Sequence, residues 1–211
     1  MSQVNAFREI NDHNDPASVR CAIRNGYFTG QTAGMAPGYT QGNLAILPAK
    51  QAMDFMRYRQ RNPKPCPLVG VSDTGNPMLP SLGHDIDIRS DIPSYNIYRN
   101  GELSETVTDI KSLWQDDFVA FIIGCSFSFE QAMMDGGIPL RHISENFTVS
   151  MYITSLETIP AGDFKGGTVV SMRPMTTRNA IRAVEITSRF PHTHGSPASP
   201  YTHLTPPTNS H

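Results

Sequence analysis

The chain has 211 residues, a formal net charge of −2 and 17% charged side chains. This length suits one domain, or two small lobes, with a buried core. The sequence contains no dense basic run, so we expect neither a nucleic-acid-binding protein nor a protein that binds membrane surfaces.

Targeting signals and cysteine motifs are not found in the sequence. The N-terminal stretch MSQVNAFREINDHNDP lacks the apolar segment of a signal peptide, and no stretch approaches the roughly 20 apolar residues of a membrane span. The cysteines, Cys21, Cys66 and Cys125, are too widely spaced for a disulfide framework or a zinc motif. We therefore expect a cytoplasmic protein with reduced thiols.

The first part of the chain predicts two helices separated by a loop. Asp15 and Pro16 are typical of an N-cap and a first helical position, and one face then holds Val19, Ala22 and Ile23. The glycine-rich stretch YFTGQTAGMAPGYTQGNLAILP matches no phosphate-binding motif and is predicted to be a long ordered loop. Pro48 then opens a second helix, whose apolar side holds Ala52, Met53, Phe55 and Met56.

The middle of the chain predicts a short strand and a hairpin. The strand is LVGVSD, which follows a proline-rich break. In IPSYNIYRNGELSETVTD, Asn100 and Gly101 fit the central pair of a type I′ turn between strands that contain Tyr95, Ile97 and Val107. We expect this hairpin to belong to a smaller lobe.

A strand-to-helix corner is predicted around Cys125. Residues 118–123 form a nearly continuous apolar run, which is typical of a strand covered on both faces. Ser128 and Gln131 match a capping box, and Gly136 fits the end of the helix.

The remaining sequence completes the pattern of an α/β fold. FTVSMYITS alternates with period two, which predicts a strand with one face formed by Phe147, Val149, Met151 and Ile153. GGTVVSMRP predicts another strand, and Thr177 caps a helix with an apolar side of Ala180, Ile181 and Val184. The elements predict a mixed sheet with flanking helices, in two parts. Residues 198–211 are rich in Pro, Ser and Thr and are predicted to be a disordered tail.

Cys125 and Ser126, at the corner, are the first candidates for chemistry. Free N–H groups at a helix start bind anions and lower the pKa of a thiol. The pair therefore predicts a carboxylate site, or a nucleophile that acts on the substrate. The alternative is that Cys125 is a small buried residue and Ser126 a helix cap.

Two glutamates near the corner are candidates for proton transfer. Glu130 lies close to Cys125 in the predicted helix, and Glu145 follows later in the chain. A buried carboxylate at Glu130 can serve as a general acid or base. The alternative is a first-turn glutamate that complements the helix dipole.

Three arginines are candidates for binding a carboxylate: Arg141, Arg173 and Arg189. Arg173 lies at the end of a predicted strand, where ligands bind in open α/β sheets. Its guanidinium can form two parallel hydrogen bonds with a carboxylate. A surface or structural ion pair is the alternative.

His192 and His194 are the last candidates. Their spacing allows either a metal-binding pair or a proton carrier that works near neutral pH. A metal site needs a third ligand, and the sequence does not single one out among His84, Asp85 and Asp87.

Long stretches of the chain resemble the D-glutamate cyclase family. They cover most of residues 18–197 and read FTGQTAGMAPGYTQGNLAILP, FMRYRQRNPKPCPLVGVSDTGNP, DDFVAFIIGCSFSFEQAM and VVSMRPMTTRNAIRAVEITSRFPHTHGSP. The resemblance implies a mixed α/β fold in two parts over residues 1–197. Family members continue for several dozen residues past HTHGSP, so the resemblance also implies a shortened chain with weakened stability.

The resemblance implies a lyase that removes water and needs no cofactor, converting D-glutamate to 5-oxo-D-proline. In this expectation the corner at Cys125 and Ser126 supplies hydrogen-bond donors, Arg173 holds a carboxylate, and Glu130 or His194 moves protons. Arg141 and Arg189 are further candidates for the small carboxylate substrate, which is the expected partner. Two alternatives remain: a carboxylate-binding protein without turnover, and a metal-dependent lyase that uses His192 and His194.

Overall fold

The computed structural model describes residues 13–145 and 147–197. The predicted tail at 198–211 lies outside the described residues, as does most of the N-terminal stretch. No helix within the described part is long and apolar enough to cross a bilayer.

The chain divides into two compact units. The first contains the chain up to Tyr39, together with Asn43–Met53 and Val69–Ile123. The second contains Thr40–Gly42, Asp54–Leu68 and the chain from Gly124 onward.

Helix α1 (Pro16–Arg24), in the first unit, forms as predicted. The Asp15 carboxylate caps it by accepting a hydrogen bond from the backbone N–H of Ser18 at 2.8 Å. The predicted face is buried, and it belongs to a cluster made of Val19, Ala22, Ile23, Phe28 and Met35. Gly26, just after the helix, has a φ of +71°, which glycine adopts without steric cost.

A three-stranded sheet forms the centre of the first unit, with the order β1-β5-β2. Its strands are β1 (Gly42–Pro48), β2 (Leu68–Val71) and β5 (Phe118–Gly124). Strand β1 occupies the second half of the predicted loop, so that prediction is wrong there; the glycines before it obscured the apolar segment LAIL. The central strand β5 buries Val119, Ala120 and Phe121, which confirms a strand covered on both faces.

Helix α2 (Ala49–Arg61) follows β1 directly after Pro48, as predicted. Its buried face is narrower than predicted, because Met53 is 60% exposed. Its buried residues are Phe55 and Arg59, which lie one turn apart.

The hairpin β3 (Tyr95–Arg99) and β4 (Glu102–Val107) also forms as predicted, with Arg99 opposite Glu102. Asn100 and Gly101 have φ angles of +54° and +84°. Positive φ at both central residues is what a type I′ turn requires.

A buried carboxylate joins α1 to the segment that precedes the hairpin. The Asp91 side chain is 1% exposed and pairs with Arg24, whose Nη2 donates to Asp91 Oδ2 at 2.7 Å. Arg20 Nε lies 3.8 Å from the same oxygen. Because a buried carboxylate is tolerated only when it is paired, these arginines hold the two segments together.

After the corner, the described residues of the second unit form five helical segments and a hairpin. The helices are a 3₁₀ helix (Ser126–Phe129), α3 (Glu130–Asp135), α4 (Arg141–Ser144) and α5 (Thr177–Thr187), and the strands are β6 (Ser150–Glu157) and β7 (Gly167–Met172). A further 3₁₀ turn spans Pro191–Thr193. One buried hydrophobic cluster of the unit contains Phe129, Met133, Ile138, Leu140 and Ala183.

Strands β6 and β7 pair antiparallel from Ser150 opposite Met172 to Glu157 opposite Gly167. The predicted alternation does not create a buried face within the described residues. Met151 and Ile153 are 61% and 80% exposed, although Val149 just before the strand is buried.

The N-cap of helix α5 is Thr176 instead of the predicted Thr177, so the helix begins one residue earlier than expected. The predicted apolar side is shifted, since Ile181 is 60% exposed and Ala183 and Thr187 are buried. Thr187 fits this apolar side because its hydroxyl donates to the Ala183 carbonyl at 2.7 Å.

The α/β fold class is confirmed by this combination of helices and sheets. The strands lie in one three-stranded sheet and two hairpins, instead of one mixed sheet.

We expect Asp91→Asn to lower the free energy of unfolding by about 2–3 kcal/mol, because it leaves two arginines without their buried partner. The single tryptophan, Trp114, reports on this unit, since its indole N–H donates to the Gly75 carbonyl at 2.9 Å. Urea unfolding followed by Trp114 fluorescence measures the change. Glu105→Gln, which removes an exposed pair with Arg99, is the control and should change little. Equal effects of the two variants would contradict the role of Asp91.

Candidate functional site

The corner after β5 differs in detail from the predicted capping box. Cys125 is the N-cap of the 3₁₀ helix, and α3 begins only at Glu130 with no side-chain cap. The Ser128 hydroxyl instead accepts from the Gln41 N–H at 2.8 Å and donates to the Gln41 carbonyl at 3.2 Å. The capping box is therefore wrong, whereas the predicted helix end at Gly136 is confirmed.

Gly124 allows two backbone segments to approach the corner closely. A Cβ atom at this position would lie 1.9 Å from the His192 carbonyl oxygen, so no other residue fits without a backbone shift. The Gly124 N–H donates to the Pro67 carbonyl at 2.9 Å. The corner is thus packed against the segment before His194 and against the loop that follows α2.

Arg173, at the end of β7, reaches the residues of the corner. Its Nη2 donates to Glu130 Oε1 at 2.6 Å and to the Ser126 hydroxyl at 3.0 Å. Its guanidinium also lies 5.5 Å from the centre of the Phe129 ring. The structure therefore brings together Ser126, Glu130 and Arg173, three of the candidates chosen from the sequence.

His142 completes this cluster and was missed by the sequence analysis. Its Nε2 lies 2.8 Å from Glu130 Oε1, and both side chains are buried. Because an ionised carboxylate only accepts, the imidazole Nε2–H is the donor. No sequence motif links the two residues, which are 12 positions apart on separate short helices.

Two polar atoms in the cluster have no hydrogen-bond partner among the described residues. They are Glu130 Oε2 and Arg173 Nε. Buried polar atoms are usually paired, and exceptions are common at ligand sites. The cluster thus has one acceptor and one donor available for a bound molecule.

The Cys125 thiol does not have the lowered pKa that the sequence analysis predicted. Burial raises its pKa, and the negative charge of Glu130 raises it further, while the Phe127 N–H and the Arg173 charge act in the opposite direction. The rise in pKa that burial causes outweighs the lowering by N–H groups at the helix start, because only a short 3₁₀ helix follows. Cys125 is therefore a neutral thiol beside Glu130 and Arg173.

His194 lies where its imidazole stays neutral. Its Nδ1 is 3.0 Å from the Lys64 carbonyl, which only accepts, so the proton is on Nδ1 and Nε2 carries a lone pair. Burial lowers the pKa of His194, and the positive charges of Arg173, Lys64 and Arg59 lower it further, against the effect of the Lys64 carbonyl. The result is a neutral base in a positively charged environment.

Arg59, on the last turns of α2, is the second residue that the sequence analysis missed. It is 2% exposed, and Nε, Nη1 and Nη2 all lack hydrogen-bond partners in the described part of the chain. The Phe55 ring, 5.7 Å away, offers a cation–π contact worth about 1–2 kcal/mol. Burying an unpaired cation costs several kcal/mol, so this contact does not compensate for it.

A signal for Arg59 was present in the sequence. The predicted apolar side of α2 contains Phe55 and Met56, and Arg59 lies four and three residues beyond them. It therefore continues the buried stripe of an otherwise amphipathic helix.

The remaining candidates lie outside this cluster. Arg141 and Glu145 are exposed and pair with each other at 2.8 Å across one turn of helix. Arg189 and His192 are exposed as well. Within residues 13–145 and 147–197, no three His, Cys, Asp or Glu side chains come together as a set of metal ligands.

Comparison with known proteins agrees with the resemblance seen in the sequence. A model of the D-glutamate cyclase family matches residues 119–201. A protein of Bordetella petrii named "Putative hydro-lyase" is 59% identical over 179 residues, which are 85% of this chain and 68% of that protein. A protein of the same description from Verminephrobacter eiseniae is 57% identical over 183 residues, 87% of this chain and 67% of that protein.

The chain thus spans about two thirds of the length of these relatives. Fold and site define a small α/β protein with a buried Arg–Glu–His cluster at a strand-to-helix corner. The chain belongs to the D-glutamate cyclase family.

We expect limited alkylation with iodoacetamide at pH 7.5 to modify Cys21 before Cys66 and Cys125. Cys21 is exposed, whereas burial raises the pKa of both other thiols. Peptide mass spectrometry after increasing times gives the order of modification. Fastest reaction at Cys125 would show an activated thiolate and contradict the neutral thiol.

Proposed function

We propose that the chain is a hydro-lyase that acts on a small amino or carboxylic acid, with D-glutamate converted to 5-oxo-D-proline and water. The observation that carries the proposal is the neutral imidazole of His194 near Arg173, which itself is paired with the buried Glu130. A base, an acid and a cation are the groups that this reaction requires. The names of the relatives support the reaction class.

The reaction moves two protons from nitrogen to oxygen. The substrate ammonium must lose a proton before its nitrogen can attack the side-chain carboxyl carbon and form the ring C–N bond. The tetrahedral intermediate then loses a C–O bond, and the oxygen departs as water after it receives two protons. Ring closure is therefore balanced without an oxidant or a reductant.

His194 is the proposed base, because Nε2 carries a lone pair at neutral pH and makes no hydrogen bond with the described residues. Glu130, an ionised carboxylate, is the proposed proton relay: Oε2, which has no partner among the described residues, takes one proton from the substrate nitrogen and passes it to the departing oxygen. His194 takes the other proton from the nitrogen and delivers it to the same oxygen. The other oxygen of Glu130 is held by Arg173 and His142, which fixes the carboxyl group in place.

Ser126 and Arg173 are the proposed stabilisers of developing negative charge. Ser126 Oγ accepts from Arg173, so the hydroxyl proton of Ser126 is available to an oxyanion. Cys125 lines the same corner as a neutral thiol, and ring closure does not require it as a nucleophile. Arg141 and Arg189 have no role in this proposal because both are exposed.

A proton NMR time course tests the proposed reaction directly. We expect 5-oxoproline to form from D-glutamate and not from L-glutamate. Glu130→Gln should reduce kcat/KM by about 10²-fold or more, because proton transfer to the leaving oxygen is lost. Glu145→Gln, which alters an exposed glutamate paired with Arg141, is the matched control and should retain activity. Binding of D-glutamate without any product would favour a carboxylate-binding protein instead.

The pH dependence of kcat/KM tests the base. Because the pKa of His194 is lowered from its ordinary value of 6.5, the imidazole remains neutral at pH 6.5 and the acid limb should lie below that pH. The same shift makes the folded chain lose stability only as the pH falls below 6.5 towards the lowered value, where the unfolded chain binds more protons.

The variant His194→Asn should remove this acid limb and lower kcat/KM by about 10²-fold or more. Asparagine suits the position because His194 has a φ of +81°, which asparagine tolerates. His192→Asn is the control, since that side chain is exposed. An unchanged pH profile in His194→Asn would exclude His194 as the base.

A further inference from the structure

Arg59 is a buried cation whose charge the described residues leave uncompensated. None of its three guanidinium nitrogens donates a hydrogen bond to another described residue, and no described carboxylate accepts from it. The neighbouring Cys66 does not supply a negative charge, because burial raises the pKa of its thiol and keeps it neutral. A guanidinium in this state is pre-arranged for a planar anion that accepts two hydrogen bonds.

We infer that Arg59 is the binding residue for one carboxylate of the substrate, and that the site therefore selects small dicarboxylic acids. The identity of the acid as a five-carbon dicarboxylate rests on the proposed function. The existence of the carboxylate subsite does not, since it follows from the buried and unpaired guanidinium.

Arg59 and the corner are connected by the loop after α2. The Lys64 carbonyl in this loop accepts the hydrogen bond of His194 Nδ1, and the Pro67 carbonyl accepts from the Gly124 N–H. The positive charges of Arg59 and Arg173 both act on His194. The two arginines therefore belong to the surroundings of one imidazole and can serve one small molecule.

Arg173 alone does not account for the binding of a dianion. Its Nη2 is already engaged by Glu130 and Ser126, so much of its charge is compensated within the protein. Arg59 has no such partner in residues 13–145 and 147–197. A dicarboxylate that lies beside His194 gains the larger electrostatic benefit from Arg59, because that charge is otherwise unpaired and screened from water.

The experiment compares two ligands of the same size, glutarate and its monoamide, by calorimetric titration of the 211-residue chain. We expect the wild-type chain to bind glutarate at least tenfold more tightly than the monoamide. In Arg59→Met this preference should disappear, and glutarate affinity should fall by about 30-fold or more. Loss of the preference, and not merely of affinity, measures the coupling between the ligand charge and the Arg59 charge.

Thermal unfolding separates a binding role from a structural one. Without ligand, Arg59→Met should unfold at the same temperature as the wild type or higher, because it removes an unpaired buried charge. Arg57→Met, on the exposed side of the same helix and paired with Asp54, is the matched control and should keep both the affinity and the preference. Arg59→Lys retains the charge without the planar fork and should show an intermediate preference.

Three results would overturn the inference. They are equal binding of glutarate and the monoamide by the wild-type chain, an unchanged preference in Arg59→Met and in Arg59→Lys, and the absence of glutarate binding by the wild-type chain. Failure of the proposed reaction is distinct from these results. If D-glutamate is not turned over but the glutarate preference depends on Arg59, the result supports the carboxylate subsite and rejects the proposed reaction.

Discussion

The arrangement of the candidate site depends on one buried carboxylate. Glu130 is 2% exposed, and a single oxygen atom accepts hydrogen bonds from Arg173 and His142. A charge at this depth is stable only when it is paired. The pairing therefore requires the end of β7 and helix α4 to meet at the start of α3. Sequence positions 130, 142 and 173 come together because the energy of burying Glu130 alone would be too unfavourable.

A close backbone approach adds a second constraint on the same site. Gly124 has no room for a Cβ beside the His192 carbonyl, and this contact places the following His194 next to the loop after α2. His194 can then donate a hydrogen bond from its Nδ1–H to the Lys64 carbonyl, which leaves the lone pair on Nε2. The geometry of the proposed base thus follows from a glycine that has no role in the proposed reaction. The lowered pKa of the His194 imidazole follows from its burial and, to a lesser extent, from the surrounding cations.

Local patterns in the sequence predicted the elements well and the site only in part. The helix cap at Asp15, the Asn100-Gly101 turn and the apolar strand at 118–123 are set by neighbours in the chain, so they could be read from it. Ser126, Glu130 and Arg173, which the structure brings together, could be chosen as candidates because each lies at the end of a recognisable element. His142 could not be found, since its role comes from a contact between separate helices. The lowered pKa expected for Cys125 failed because burial, which the sequence does not specify, outweighs the helix start.

The inferred subsite at Arg59 rests on the free energy that a buried and unpaired charge costs the folded chain. In Asp91 and Glu130 the buried charges of this protein are compensated by arginines, and such pairs contribute to the organisation of each unit. Arg59 is buried to the same degree, and the described residues offer it no equivalent partner. A side chain that lowers stability is retained where function needs it, because proteins tolerate such costs at their active sites. In the inferred subsite the ligand supplies the compensating charge, and the free energy that the unpaired cation costs the ligand-free protein is recovered as selectivity for an acid with two carboxylates.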